Sequence, residues 1–140
     1  MKKSLLIGAV LLSSLSFGQK KNETSAAVEF KNKYIPAVKS GDLETAKKSI
    51  LSAKEFIDLA ADHPDTKTSS KTLYYKGEIY FAISDLGDKM NDADLKAMAT
   101  TDFIGQSISS FAKANEDKKW STDVLDAAYR AQSAYDKKGN

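Results

Sequence analysis

Three short stretches hold residues of the kinds that ligate metals or act as nucleophiles. His63, the only histidine, stands among three aspartates, Asp58, Asp62 and Asp65, a set that could in principle ligate a metal ion. Zinc sites use several histidine or cysteine ligands, and the chain has no cysteine. A solvent-exposed turn is therefore the favoured interpretation of this stretch.

The other two stretches depart from the motifs that they partly match. Residues 85–94 are rich in aspartate but lack the Asp-x-Asp-x-Asp-Gly order and distant glutamate of a calcium loop, so calcium stays only as an alternative. Residues 105–109, GQSIS, lack the second glycine of a nucleophile elbow and have no histidine partner. The sequence therefore predicts a protein that is not an enzyme, without catalytic residues, cofactor or metal.

The N-terminus has the features of a secretory signal peptide. Two lysines, an apolar run over residues 5–15 and the small residues at 16–18 come before a predicted cleavage site at Gln19. The alternative is an uncleaved membrane anchor, but a spanning helix needs about 20 apolar residues. No cysteine follows for lipid attachment. We expect residues 1–18 to be removed on export to the periplasm or outer envelope of a Gram-negative bacterium.

The charge balance argues against nucleic acid as a partner. The chain has 21 Lys and Arg residues against 19 Asp and Glu residues, and Lys2 and Lys3 of the predicted signal peptide account for the excess. A neutral mature chain offers no general attraction to phosphate backbones. Without cysteine there is also no disulfide, so the fold must be stabilised by packing.

The predicted elements are helices. After a flexible lead-in at residues 19–25, apolar residues recur at helical spacing up to Pro36, where a kink is expected. Gly41 and Asp42 form a turn between two helices. The second helix has the clearest stripe and ends before Pro64. The stripe consists of Leu43, Ala46, Ile50, Ala53, Ile57 and Ala60, widened by Phe56 and Leu59.

The second half continues the same pattern. A helix containing Leu73 and Gly77 is predicted to give way to an acidic loop over Ser84–Lys96, with a short helical turn near residues 94–99. Two more helices follow. Their inward residues are predicted to be Ile104, Ile108, Phe111 and Ala112, and then Val124, Ala128, Ala131 and Tyr135.

Several of these residues resemble the tetratricopeptide repeat (TPR) family, in which a Leu-Gly-Tyr pattern on one helix is followed by an Ala-large-Ala pattern on the next. The matching residues are Leu73, Gly77 and Tyr80, then Ser107, Phe111 and Ala114, and earlier Ala46, Ile50 and Ala53. The resemblance implies an all-α fold over residues 26–140, with antiparallel helix pairs stacked as a TPR-like right-handed solenoid. It places Gly77 where two helices cross closely, and it suggests that the chain stops partway through a third pair.

In that family the first helices of the pairs line a groove that holds peptides or partner helices. The resemblance therefore implies a protein-binding surface made of Tyr74, Glu78, Phe81, Tyr129, Ser133, Asp136 and Lys137. Packing of Tyr74 and Phe81 on neighbouring helices is the alternative. The implied function is a non-catalytic protein–protein interaction scaffold of the bacterial envelope. The alternatives are a helical accessory component of an outer-membrane nutrient-uptake system and the N-terminal scaffold of a longer enzyme.

Overall fold

The computed structural model describes residues 20–119 and 121–139, and this part of the chain contains six helices and no strand, as predicted for an all-α protein. The predicted signal peptide lies outside the described residues. The helices are α1 (residues 20–40), α2 (Leu43–Asp62), α3 (Ser70–Met90), α4 (Ala93–Met98), α5 (Thr101–Ala114) and α6 (Ser121–Gly139). None of them combines the length and apolar character that a membrane crossing requires.

Helix α1 changes its winding just before Pro36. Residues Glu29–Tyr34 form a π-helical segment, and the Ile35 N–H donates to the Phe30 carbonyl five residues back. Proline has no N–H to donate, and its ring clashes with the carbonyl four residues earlier in a regular α-helix. A wider turn ahead of Pro36 accommodates both effects. The predicted kink therefore takes the form of a π-helical segment inside a continuous helix.

Residues 20–25, predicted as a flexible lead-in, are instead the first turns of α1. Glu23 anchors them, because its carboxylate accepts hydrogen bonds from the Thr72 hydroxyl at 2.6 Å and the Ser69 hydroxyl at 2.8 Å, and it lies 3.4 Å from Lys71 Nζ. Ser69 is also the N-terminal cap of α3. These contacts hold the first turns of α1 against the start of α3, because a nearly buried carboxylate needs hydrogen-bond partners.

Helix α2 matches its prediction. Asp42 caps it by accepting from the Thr45 N–H, and Gly41 before it has φ +80°, a left-handed conformation that suits glycine. The predicted stripe residues from Ala46 to Ala60 are fully buried. Leu59, which was expected to widen the stripe, is 54% exposed.

The prediction of an acidic loop over Ser84–Lys96 is wrong, because α3 continues to Met90 and α4 follows after a short turn. Asn91 takes a left-handed conformation at φ +52°, and Asp92 caps α4 through the Leu95 N–H. A Cβ added to Gly87 would lie 3.1 Å from the Leu95 Cβ, so glycine lets α4 fold back closely onto α3. The short helix predicted near residues 94–99 is present as α4.

Helices α3 and α5 cross closely at Gly77, as the resemblance implied. The Ser107 hydroxyl donates to the Gly77 carbonyl at 2.7 Å, and a Cβ on Gly77 would lie 2.6–2.8 Å from three ring carbons of Phe111. Ile104 and Phe111 are buried as predicted. Ala112 is exposed instead, because the inward face of α5 turns through Ser107, Ser110 and Ala114.

The helices pack in chain order: α1 on α2, α2 on α3, α3 on α5, and α5 on α6, with α4 covering the end of α3. One hydrophobic cluster contains residues of α1, α2, α3 and α4. It also includes Phe103 of α5, whose ring stacks on Tyr80 at a centroid distance of 4.1 Å. A second cluster joins α5 to α6 around Phe111. Val124 and Ala131 are buried there as predicted, whereas Tyr135 is 38% exposed. Tyr74 contacts both clusters.

Candidate binding groove

A groove runs between α1, α3 and α6. It consists of two cavities, of about 600 and 340 Å³, that share Phe81, Asp85 and Arg130 as lining residues. Six of the seven residues predicted to bind a partner line it: Tyr74, Glu78, Phe81, Tyr129, Ser133 and Lys137. The seventh, Asp136, lies outside this lining and accepts a hydrogen bond from Gln132 on the surface of α6.

The two tyrosines predicted at equivalent places have different surroundings. The Tyr129 side chain is 77% exposed and projects from α6 into solvent. Tyr74 is half-buried, with its ring edge-on to Tyr75 at 5.2 Å and to Phe111 at 6.2 Å. Tyr74 therefore serves the core as well as the groove, and Tyr129 is the more accessible of the two tyrosines for a ligand.

A charged pair lies at the centre of the groove. Glu78 is only 7% exposed, and Arg130 Nη2 lies 3.4 Å from its Oε1. Arg130 also lies 3.4 Å from Asp126, and its guanidinium stands 5.4 Å from the Phe81 ring centroid. Burial raises the pKa of the Glu78 carboxyl, while Arg130 and the Tyr74 hydroxyl oppose that shift. The Arg130 guanidinium thus lies beside the nearly buried Glu78 carboxyl, near the floor of the groove.

Arg130 was not among the predicted binding residues, although the sequence holds a signal for it. It is the only arginine in a chain whose other basic residues are lysines. A guanidinium is planar, stacks on aromatic rings and donates several hydrogen bonds in a fixed geometry, which an ammonium group does not. A single arginine amid many lysines therefore marks a place where that geometry is used.

We expect the stability of the Arg130→Met variant to depend on pH. Removing Arg130 takes away the largest effect that lowers the pKa of the Glu78 carboxyl and leaves burial opposed only by the Tyr74 hydroxyl, so the folded-state pKa rises further above its unfolded value. A carboxyl with a raised folded pKa binds more protons folded than unfolded, so stability falls as pH rises through that range. Urea unfolding should show a larger loss relative to wild type at pH 7 than at pH 4.

Lys96→Met is the matched control for this experiment. Lys96 is exposed and donates a hydrogen bond to Asn91 on the α3–α4 turn, and it forms no ion pair with a carboxylate among the described residues. Its loss relative to wild type should be the same at both pH values. An equal loss at pH 4 and pH 7 in Arg130→Met would contradict the coupling to Glu78.

The stretches considered above for metal or nucleophile chemistry have structural roles. His63 Nδ1 accepts from the Asp65 N–H at 3.2 Å within the α2–α3 turn. Ser107, the serine of the GQSIS stretch, is buried and its hydroxyl is bonded to Gly77. Within residues 20–119 and 121–139, no group of three acidic, histidine or cysteine side chains could hold a metal ion.

No protein-family model, no curated protein and no solved structure matches the chain. The resemblance to TPR proteins therefore stays a prediction that depends on the residues quoted above.

Proposed function

We propose that this protein is a non-catalytic protein–protein interaction module of the bacterial cell envelope, built as a TPR-like right-handed solenoid of helix pairs. In this proposal α1 pairs with α2, α3 with α5, and α6 begins a third pair. The bound partner is a peptide or a partner protein that lies in the groove between the first helices.

One observation carries the proposal. Every described residue that lines the groove belongs to α1, α3 or α6, the three helices that the proposal assigns as first helices of successive pairs. The second helices, α2 and α5, contribute none of these residues. A groove lined by alternate helices is the arrangement expected of a repeat protein that binds along its length.

The chemistry of the groove suits a peptide. It presents the rings of Tyr129 and Phe81, the arginine whose guanidinium lies over the Phe81 ring, and both signs of charge, since Asp85 and Lys137 line the same cavity. Tyrosine and arginine are the residues that most often contribute binding energy at protein interfaces. Mixed charge beside aromatic rings can recognise backbone and side-chain groups of an extended chain.

The groove is tested with a peptide selected against the purified protein from a random display library. Tyr129→Ala should weaken binding of that peptide at least tenfold, or about 1.4 kcal/mol, by removing an exposed ring from the site. The matched control is Leu125→Ala, because Leu125 is 52% exposed on the same helix but outside the groove lining. Fluorescence anisotropy of the labelled peptide gives both dissociation constants. Unchanged affinity in Tyr129→Ala, or an equal loss in both variants, would place the peptide elsewhere.

The envelope location has a separate test. If residues 1–18 form a signal peptide, the protein recovered from the periplasm of an expressing cell should begin at Gln19. N-terminal sequencing provides the measurement. A protein that keeps Met1 and remains in the cytoplasm would refute export and leave the groove experiment unaffected.

A further inference from the structure

A further cavity, of about 670 Å³, opens on a different side of α3. It is bounded by the end of α2, the α2–α3 connection, α3 and α5, and none of its described lining residues also lines the groove. Leu73 supplies apolar surface, and Thr68, Gln106, Ser109 and Ser110 supply hydroxyl and amide groups. We call this cavity the basic cleft because of the lysines that line it.

Three lysines from three different segments converge on the basic cleft. Lys67 comes from the α2–α3 connection, Lys76 from α3 and Lys113 from α5. Within the described part of the chain, none of the three has a carboxylate within 4.0 Å, whereas Lys47 and Lys54 on α2 are both ion-paired.

The charge around the basic cleft is unbalanced. Glu116 is the one carboxylate among its described lining residues, against the three ammonium groups. Lys76 Nζ stands 5.3 Å from the Tyr80 ring centroid, which is a contact with the ring face and not an ion pair. Cations that share a cavity repel one another, and a bound anion removes that repulsion. The surrounding hydroxyl and amide groups add hydrogen-bond donors.

We propose that the basic cleft binds a compact anion that carries two or more negative charges, in the form of phosphoryl or carboxylate groups. Ammonium groups act as point charges and do not select planar carboxylates over tetrahedral phosphates, so both chemistries fit the lining. Several negative charges are needed because three ammonium groups line the cavity against one carboxylate. The site is independent of the groove and of the function proposed for it.

Calorimetric titration with inorganic pyrophosphate and, separately, with citrate tests the proposal. Wild-type protein should bind at least one of them saturably, and the two arms show whether phosphoryl or carboxylate groups are preferred. The Lys67→Gln, Lys76→Gln, Lys113→Gln triple variant should bind at least tenfold more weakly. A control triple, Lys39→Gln, Lys48→Gln, Lys89→Gln, removes the same charge from exposed positions outside the cleft and should stay within twofold of wild type.

Two results would overturn the proposal. One is the absence of saturable binding of either anion to wild type, and the other is an equal loss in the two triple variants, which would reflect net charge alone. If the cleft triple does not fold by circular dichroism, the Lys67→Gln, Lys113→Gln double variant replaces it, since both side chains are exposed. The double variant should still bind at least threefold more weakly, and a smaller loss would also overturn the proposal. The groove peptide should bind all of these variants as it binds wild type.

Discussion

Replacing Phe111 by alanine is expected to lower the free energy of unfolding by about 3–5 kcal/mol, the usual cost of removing a fully buried aromatic ring. Phe111 is completely buried and is the largest buried side chain of the cluster that joins α5 to α6. Its ring also contacts the edge of Tyr74 on α3 and fills the space left by Gly77. Alanine would open a cavity at the point where three helices meet, and the close helix crossing leaves little freedom to collapse it.

Urea unfolding followed by circular dichroism measures this loss, with Tyr129→Ala as the control. Both substitutions remove an aromatic ring from a helix, but the Tyr129 side chain is 77% exposed, so its loss should change stability by less than about 0.5 kcal/mol. A cost below about 1.5 kcal/mol for Phe111→Ala would show that the ring does not hold α5 against α3.

Gly77→Ala is expected to destabilise the protein by about 1–3 kcal/mol through overpacking, although alanine is the better helix former. The added Cβ would lie within 2.6–2.8 Å of three Phe111 ring carbons, so either the ring or a helix must move. Gly105→Ala is the matched control on α5, because its Cβ would meet only the Tyr135 ring at an ordinary 3.9 Å. That change should stabilise the protein by up to about 1 kcal/mol.

Thermal and urea unfolding of the two glycine variants measure these changes in stability. A Gly77→Ala variant that is more stable than wild type would mean that α3 and α5 do not pack closely at Gly77. A second check is the double variant Gly77→Ala, Phe111→Leu. Its total cost should be smaller than the sum of the two single costs, because the smaller side chain makes room for the new methyl group.

The parts of the fold that could be predicted are those where apolar side chains mark the buried face. In α2 the stripe residues Ala46, Ile50, Ala53, Ile57 and Ala60 are apolar and fully buried, so their periodicity was sufficient to predict that face. The end of α3 was misjudged because Leu86 is the one large apolar residue buried between Ser84 and Met90: Ser84 and Gly87 are small, and Asp85 and Asp88 face solvent. Buried positions still recur at helical spacing there, but a pattern of apolar residues alone does not reveal them.

The candidate site divides in a similar way. The resemblance named six residues that line the groove, because helix positions three or four apart share a face whatever their surroundings. It could not tell that Tyr74 is half-buried while Tyr129 is exposed, since that depends on which helices pack beside each of them. The pairing of Glu78 with Arg130 joins residues 52 positions apart and was not apparent from local spacing.

The arrangement of the core in two clusters that meet at Tyr74 bears on how the chain folds. Each helix packs mainly on helices close to it in sequence, so few long loops must close before contacts form, a topology associated with rapid folding. The α5–α6 cluster is small, and its buried residues are Phe111, three alanines and Val124, whereas the other cluster contains residues from five helices. We therefore expect α6 to open and exchange its amide protons well before the rest, so that the groove loses one wall while its other two remain folded.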